Sequence, residues 1–173
     1  MSLQREVVLA GETATAALGR ALAGVLPAQL MIPLEGELGS GKTALARAVL
    51  RGLGWTGPVR SPTYTLLETY DLPGPPPAGR RVHHLDLYRL TSPEELEYLG
   101  LRDLLAVPAC WFVEWPQRGK GMLASADLAV ALTLDPRGRR CRLRAQSAAG
   151  ESCLRALWDR PELDEIEKMA LTS

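Results

Sequence analysis

The spacing of hydrophobic positions along this chain switches several times between the strand period and the helix period. Glu6–Leu9 and Leu30-Met31-Ile32-Pro33-Leu34 are short apolar runs of strand length. Between them, Glu12 to Val25 carries Ala and Leu at helical spacing with no proline. Thr43 to Leu53 returns to the helical period, with Leu45, Val49, Leu50 and Leu53 on one side and Gly52 and Gly54 closing it. A β-rich stretch, Tyr64 to Tyr70, follows Ser61-Pro62-Thr63. Asp71 to Gly79 is rich in Pro and Gly and reads as a surface loop, the segment most prone to disorder. Val82–Asp86 and Cys110–Glu114 are strands, the second the more apolar. Ser92-Pro93-Glu94-Glu95 reads as a helix start, with Ser92 as N-cap, Pro in the first position and acids at the positive end of the dipole. Leu128–Leu134 and Arg139–Ser147 flank Asp135-Pro136-Arg137-Gly138 as a hairpin. From Ser152 the chain reads as helical, interrupted at Pro161. Strand–helix alternation followed by a hairpin implies an α/β fold with a mixed sheet, parallel around the segment 36–43 and with an antiparallel extension. Ligands of such sheets sit at the carboxyl ends of the parallel strands.

One position resists this pattern. Pro33 lies within an expected central strand, where a ladder donor is lost, so a bulge or an N–H position without a partner is expected there.

Composition narrows the class. The length of 173 residues suits one domain with a substantial core: residues 1–150 as the main domain, 151–173 as a helical extension. Twenty basic and twenty acidic residues balance, so the chain as a whole is no polyanion binder. Cys110, Cys141 and Cys153 have no metal-site spacing, and the adjacent His83 and His84 do not complete one. No signal pattern and no membrane-spanning apolar run is seen, so a reduced, cytoplasmic setting without membrane contact is expected.

The chemistry lies between the second strand and the second helix. Residues 36–43 read Gly-Glu-Leu-Gly-Ser-Gly-Lys-Thr, the G-x-x-x-x-G-K-T phosphate-binding loop, or P-loop. Glycines adopt positive φ freely and let backbone N–H groups turn inward around an anion. The following helix aims its positive end at the same point. Gly39, Ser40, Gly41, Lys42 and Thr43 are therefore nucleotide-binding candidates, with Lys42 as a mobile charge for the β- and γ-phosphates. Thr43 offers a hydroxyl to Mg²⁺. The fold expected is a P-loop NTPase-like three-layer α/β architecture, its sheet parallel around the loop with an antiparallel C-terminal hairpin.

Such a site needs a strand-end carboxylate. Glu114 closes the more apolar strand and is assigned to Mg²⁺; Asp86 is assigned nearby, acting through water or by positioning the nucleophile. Arg89 is a candidate ion-pair partner for Asp86. Thr63 either senses the γ-phosphate, as a threonine does in switch-type triphosphatases, or merely opens a strand after Pro62. Trp115 is read as a partner anchor, a lid, or a rim residue packed on the loop 116–124. Arg140, Arg142 and Arg144 share one strand face, which is either a solvated face or a contact for nucleotide or RNA. His83 and His84 are assigned to packing and hydrogen bonding. The chain contains no asparagine, so the Asn-Lys-x-Asp element that reads guanine is absent, and ATP is favoured over GTP.

Beyond the loop, Ser61-Pro-Thr-Tyr-Thr65, His84-Leu-Asp-Leu-Tyr-Arg89, Pro93-Glu-Glu-Leu-Glu97 with Leu99-Gly-Leu101, and Val113-Glu-Trp-Pro116 occur in this order. With the P-loop they make the chain, from about Glu12 to about Gly150, resemble the TsaE (YjeE) family, the bacterial ATPases of tRNA threonylcarbamoyladenosine biosynthesis. The resemblance implies ATP and Mg²⁺ binding and slow hydrolysis. It implies action with two other protein subunits, a carbamoyl-transfer enzyme and its paralogous partner, that install N6-threonylcarbamoyl on adenosine 37 of tRNAs reading ANN codons. It places Thr43 and Glu114 on Mg²⁺, makes Asp86 important for hydrolysis, and sets Glu12 and either Gly138 or Arg139 beside the nucleotide. Departures are Ser40 for the usual Ala, Pro33, and the expanded Pro-rich loop at 73–79. A stripe of Leu154, Leu157, Trp158, Leu163, Ile166 and Met169 either packs on the domain or docks a partner. Two other functions fit the loop alone: a small-molecule kinase with Arg80, Arg81 or Arg89 on a lid, and a nucleotide-gated binding module with negligible turnover.

Overall fold

The computed structural model describes residues 2–74 and 79–172. Its elements are β1 (Gln4–Leu9), α1 (Gly11–Ala23), β2 (Leu30–Glu35), α2 (Lys42–Gly52), β3 (Leu67–Leu72), β4 (Arg80–Asp86), α3 (Glu95–Tyr98), α4 (Leu101–Leu105), β5 (Cys110–Glu114), β6 (Leu128–Asp135), β7 (Gly138–Ala145), α5 (Ala148–Trp158) and α6 (Pro161–Leu171). Among the described residues, seven strands form one sheet in the order β1-β7-β6-β2-β5-β4-β3. The inner strands β6, β2, β5 and β4 are mutually parallel. Antiparallel pairs close both sides: β7 and β1 beyond β6, and β3 beyond β4.

Alternation in the central strands builds three layers. Leu30, Ile32 and Leu34 of β2, with Cys110 and Phe112 of β5, face a core shared with α1, α2, α5 and α6. Met31, Trp111 and Val113 face the opposite core, closed by α3, α4 and Leu123. The C-terminal stripe packs inward: Leu154, Leu157, Leu163 and Ile166 are buried in the first core, with Trp158 and Met169 packed against it.

Pro33 forms no bulge. Leu30 N–H donates to Ala109 O on the β5 side, and Met31 N–H donates to the Asp127 carboxylate on the β6 side (2.8 Å). Alternation puts position 33 on the β6 side, where the ladder begins only at Leu34 opposite Val130. The missing donor falls between the Asp127 N–H to Met31 O bond (2.9 Å) and the start of that ladder.

Several boundaries differ from the sequence reading. Residues 62–65 form a turn, so β3 starts at Leu67 rather than at Tyr64. Asp71 and Leu72 belong to β3, because they pair with Arg81 and Arg80; the expected loop starts at Pro73, and the expectation of disorder falls on 75–78, outside the described residues. The helix expected from Ser92 opens as a 3₁₀-type turn, with the Glu95 N–H donating to Ser92 O (3.2 Å) and the Leu96 N–H to Pro93 O (3.1 Å), and is α-helical only over Glu95–Tyr98. The Glu95 carboxylate turns back to accept from Thr91 and from the Ser92 N–H (3.1 Å), and Gly100 at φ 68° separates two single turns, α3 and α4. The C-terminal helix begins at Ala148 rather than Ser152, since Ser147 caps it by accepting from the Gly150 N–H (3.1 Å).

Candidate functional site

Residues 36–41 leave β2 and enter α2 directly. Gly41 is the N-cap of α2 at φ 104°, a conformation that strains any residue with a Cβ. Gly36 is held more tightly: at φ 146°, an added Cβ would stand 2.5 Å from both Leu132 O and Ser40 Oγ. No side chain caps α2, so the N–H groups of its first turn remain available to an anion.

Lys42 is 4% exposed. Its ammonium lies back on the loop, donating to Gly36 O (2.6 Å) and Glu37 O (2.8 Å), with Ser40 Oγ at 3.4 Å. Burial draws its pKa below the ordinary lysine value, while the charges of Glu114 and Asp86 oppose that shift. The Trp115 ring centroid lies 4.8 Å from Nζ, a cation–π contact.

Glu114 and Asp86 end the neighbouring strands β5 and β4 and register with each other across the sheet. Thr43 Oγ1 donates to Glu114 Oε1 at 2.7 Å, and His84 Nε2 lies 2.8 Å from the same oxygen. Asp86 accepts from Thr63 Oγ1 (3.3 Å) and from the Tyr88 N–H (3.0 Å). Among the described residues no ion pair joins Asp86 to Arg89; the Arg89 guanidinium lies 4.6 Å from the Tyr64 ring instead. Thr43, Thr63, Asp86, Glu114 and Trp115 line a cavity of about 410 Å³ over the N-terminus of α2. It meets a second cavity of about 910 Å³ at Gly41 and Ala44, and Glu12, Gly138 and Arg139 line that one. The two cavities share Gly41 and Ala44, and between them they are lined by all the sequence-derived site candidates except the buried Ser40.

Three features of the site were not read from the sequence. Arg139 donates from Nε to Ser40 O (3.1 Å) and from Nη2 to Gly39 O (3.2 Å), so the β6–β7 turn braces the P-loop from outside. Tyr88 packs on Trp115 at 5.2 Å, and Trp115 itself sits at φ 55°. His84 hydrogen-bonds as expected, but its partner, Glu114, was not read; strand alternation, which puts 84 with 86 and 112 with 114 on one face, held that signal. Away from the groove, Glu6 takes Arg140 (2.6 Å) and Arg142 (3.1 Å), and Asp135 takes Arg140 (2.7 Å), so two of the three strand arginines are engaged with carboxylates.

Thr43 and Glu114 suit Mg²⁺ rather than a metal held wholly by protein. Among the described residues no group of three His, Cys, Asp or Glu surrounds a metal position. One hydroxyl and one carboxylate are hard oxygen ligands, the set Mg²⁺ uses when phosphate oxygens and water supply the rest.

A strand, a glycine-bent loop, a helix and two strand-end carboxylates define the P-loop NTPase-like class of α/β protein. The solved structure of YdiB from Bacillus subtilis has the same fold, with a TM-score of 0.71 over 91% of this chain and 95% of that one at 23% identity. The chain belongs to the TsaE family: the family model "Threonylcarbamoyl adenosine biosynthesis protein TsaE" matches residues 9–142. It is 42% identical over 127 residues to the tRNA threonylcarbamoyladenosine biosynthesis protein TsaE of Haemophilus influenzae, covering 73% of this chain and 77% of that protein. The like-named protein of Rickettsia conorii is 32% identical over 161 residues, covering 90% and 89%. No helix among the described residues is long and apolar enough to cross a membrane.

Proposed function

We propose that this protein serves tRNA threonylcarbamoyladenosine biosynthesis as a Mg²⁺-dependent ATPase. It binds ATP, hydrolyses it slowly alone, and acts in the cytoplasm with the two other subunits that modify adenosine 37 of tRNAs reading ANN codons. The observation that carries this reading is the Thr43–Glu114 hydrogen bond of 2.7 Å beside the P-loop lysine. In it the hydroxyl proton is turned to the carboxylate, which leaves the oxygen lone pairs of Thr43 free for a cation.

The steps follow from the groove. The N–H groups of Gly39 to Thr43 enclose the phosphates, and Lys42 exchanges two loop carbonyls for phosphate oxygens. Glu12, Gly138 and Arg139 flank the nucleoside end. Asp86, held by Thr63 and Tyr88, is placed to orient the attacking water. Mg²⁺, when bound by Thr43 and Glu114, would offset negative charge on the β- and γ-phosphates. Residues 1–150 act as the ATPase domain and 151–173 as a helical extension of that same domain; the burial of Leu163 and Ile166 in the main core supports one unit, and α5, from Ala148, spans the boundary. Arg80 and Arg81 begin β4, while Asp86 ends it, so these two candidates for a kinase lid lie about 20 Å from the phosphate end.

The test is replacement of the native gene by the Lys42→Ala form and mass spectrometry of nucleosides from total tRNA. Loss of N6-threonylcarbamoyladenosine is expected; an unchanged level contradicts the proposal. Transfer of the γ-phosphate to a metabolite, instead of release as phosphate, would establish the kinase reading.

A further inference from the structure

His84 is fully buried, yet its two ring nitrogens fare differently. Nε2 lies 2.8 Å from Glu114 Oε1; Nδ1 has no hydrogen-bond partner among the described residues. An unpaired buried polar atom costs about 1–3 kcal/mol, which an apolar side chain at this position would not incur. Phe112, registered beside His84 on β5, shows that the layer accepts a plain aromatic ring. Packing alone therefore does not account for an imidazole here, whereas the contact with Glu114 does.

The direction of that bond follows from the acceptor. An ionised carboxylate only accepts, so Nε2 carries the hydrogen and donates. Thr43 Oγ1 donates to the same oxygen, at 2.7 Å. Two donors from opposite walls, α2 and β4, thus converge on Oε1 and fix the plane of the carboxyl group. The alternative partner, Lys42, lines the same cavity as Glu114, and among the described residues no ion pair joins the two. A carboxylate released from β4 would be free to turn towards that ammonium and draw it off the phosphates.

We propose that His84 is a positioning residue for the metal site: its Nε2–H holds Glu114 on Thr43 and away from Lys42, so that hydroxyl and carboxylate are set for Mg²⁺ before nucleotide arrives. The inference rests on the nucleotide reading above and extends it to a residue that touches neither nucleotide nor metal. Loss of such an outer hydrogen bond typically weakens metal affinity about 10–100-fold.

The experiment is calorimetric titration of ADP into the full chain, once in EDTA and once in Mg²⁺, with melting temperatures recorded alongside. The quantity read is the ratio of the two Kd values. His84→Phe and His84→Leu fill the space without a donor, and two fillers guard against one that fails to fold. Both are expected to lower the ratio at least about tenfold while Kd in EDTA stays within about twofold of the unsubstituted protein. His84→Gln keeps an N–H donor and is expected to hold the ratio within about threefold. The inference is overturned if a folded Phe or Leu variant keeps the ratio, if affinity falls equally in EDTA and in Mg²⁺, or if Gln fares no better than Phe. Absence of any Mg²⁺ tightening in the unsubstituted protein overturns the underlying nucleotide reading as well; tightening that survives in the variants overturns only the role given to His84.

Discussion

Arg139 offers the sharpest quantitative test, because its contacts are to backbone and do not involve the metal. The perturbation is Arg139→Ala. It removes the donations from Nε to Ser40 O (3.1 Å) and from Nη2 to Gly39 O (3.2 Å), which tie the β6–β7 turn to the P-loop. A hydrogen bond involving a charged group contributes about 1.5–3 kcal/mol when well buried. These two are partly exposed, so about 1 kcal/mol each, and about 2 kcal/mol together, is the reasonable scale. If all of it serves to hold the loop in its binding form, the competent population falls by that amount and Kd rises by up to about thirtyfold. Arg139→Lys keeps the charge but not the fork, and an ammonium satisfies one carbonyl well, so an intermediate value is expected. The assay is calorimetry with ADP in EDTA, which excludes any metal contribution, with melting temperature as a control. Wild-type affinity in a folded Arg139→Ala protein would refute the bracing role.

Other outcomes follow from the same geometry. Glu114→Ala should reduce the Mg²⁺ dependence of nucleotide binding more than Asp86→Ala, since Glu114 is the one bonded to Thr43; the reverse order, by calorimetry, would exchange their roles. Burial pushes the His83 imidazole down to about 4 from its ordinary 6.5. The unfolded chain then binds the extra proton first, so stability is full above about pH 6.5 and falls by about 3 kcal/mol towards pH 4. Urea melts at pH 7 and 4.5 should show His83→Phe losing less stability on acidification than the wild type; equal losses would exclude His83 as the source. Trp115→Ala should impair turnover or subunit assembly with little change in melting temperature, since this ring is only partly buried; a large drop would make it a core residue.

Legibility in the sequence followed how local the physical constraint was. Gly36, Gly41, Lys42 and Thr43 each answer a demand of their own position, and all four stand where the motif put them. Glu114 was equally plain, because β5 is a short apolar run with one acid at its end, whereas β4 carries two arginines and two histidines before Asp86. What stayed hidden depends on pairing between distant segments. β3 extends to Leu72 because Arg80 lies opposite it, and nothing in Asp71-Leu72-Pro73 announces that. The helix expected from Ser92 stops after a short stretch because Gly100 takes a positive φ before α4 begins. Arg139 meets the P-loop across 99 residues of chain, and His84 meets Glu114 across 30. Pro33 resolves the same way, since its tolerance is set by where β6 begins to pair.

The central claim is that the loop 36–43 holds a nucleotide phosphate while Thr43 and Glu114 hold its cation. A crystal grown with ADP and Mg²⁺ tests it most directly. The account predicts the β-phosphate within the N–H groups of Gly39 to Thr43, Lys42 Nζ moved from Gly36 O to a phosphate oxygen, and Mg²⁺ on Thr43 Oγ1 at about 2.1 Å. Nucleotide bound elsewhere, or Mg²⁺ bound with both Thr43 and Glu114 outside its coordination shell and its water shell, would contradict it.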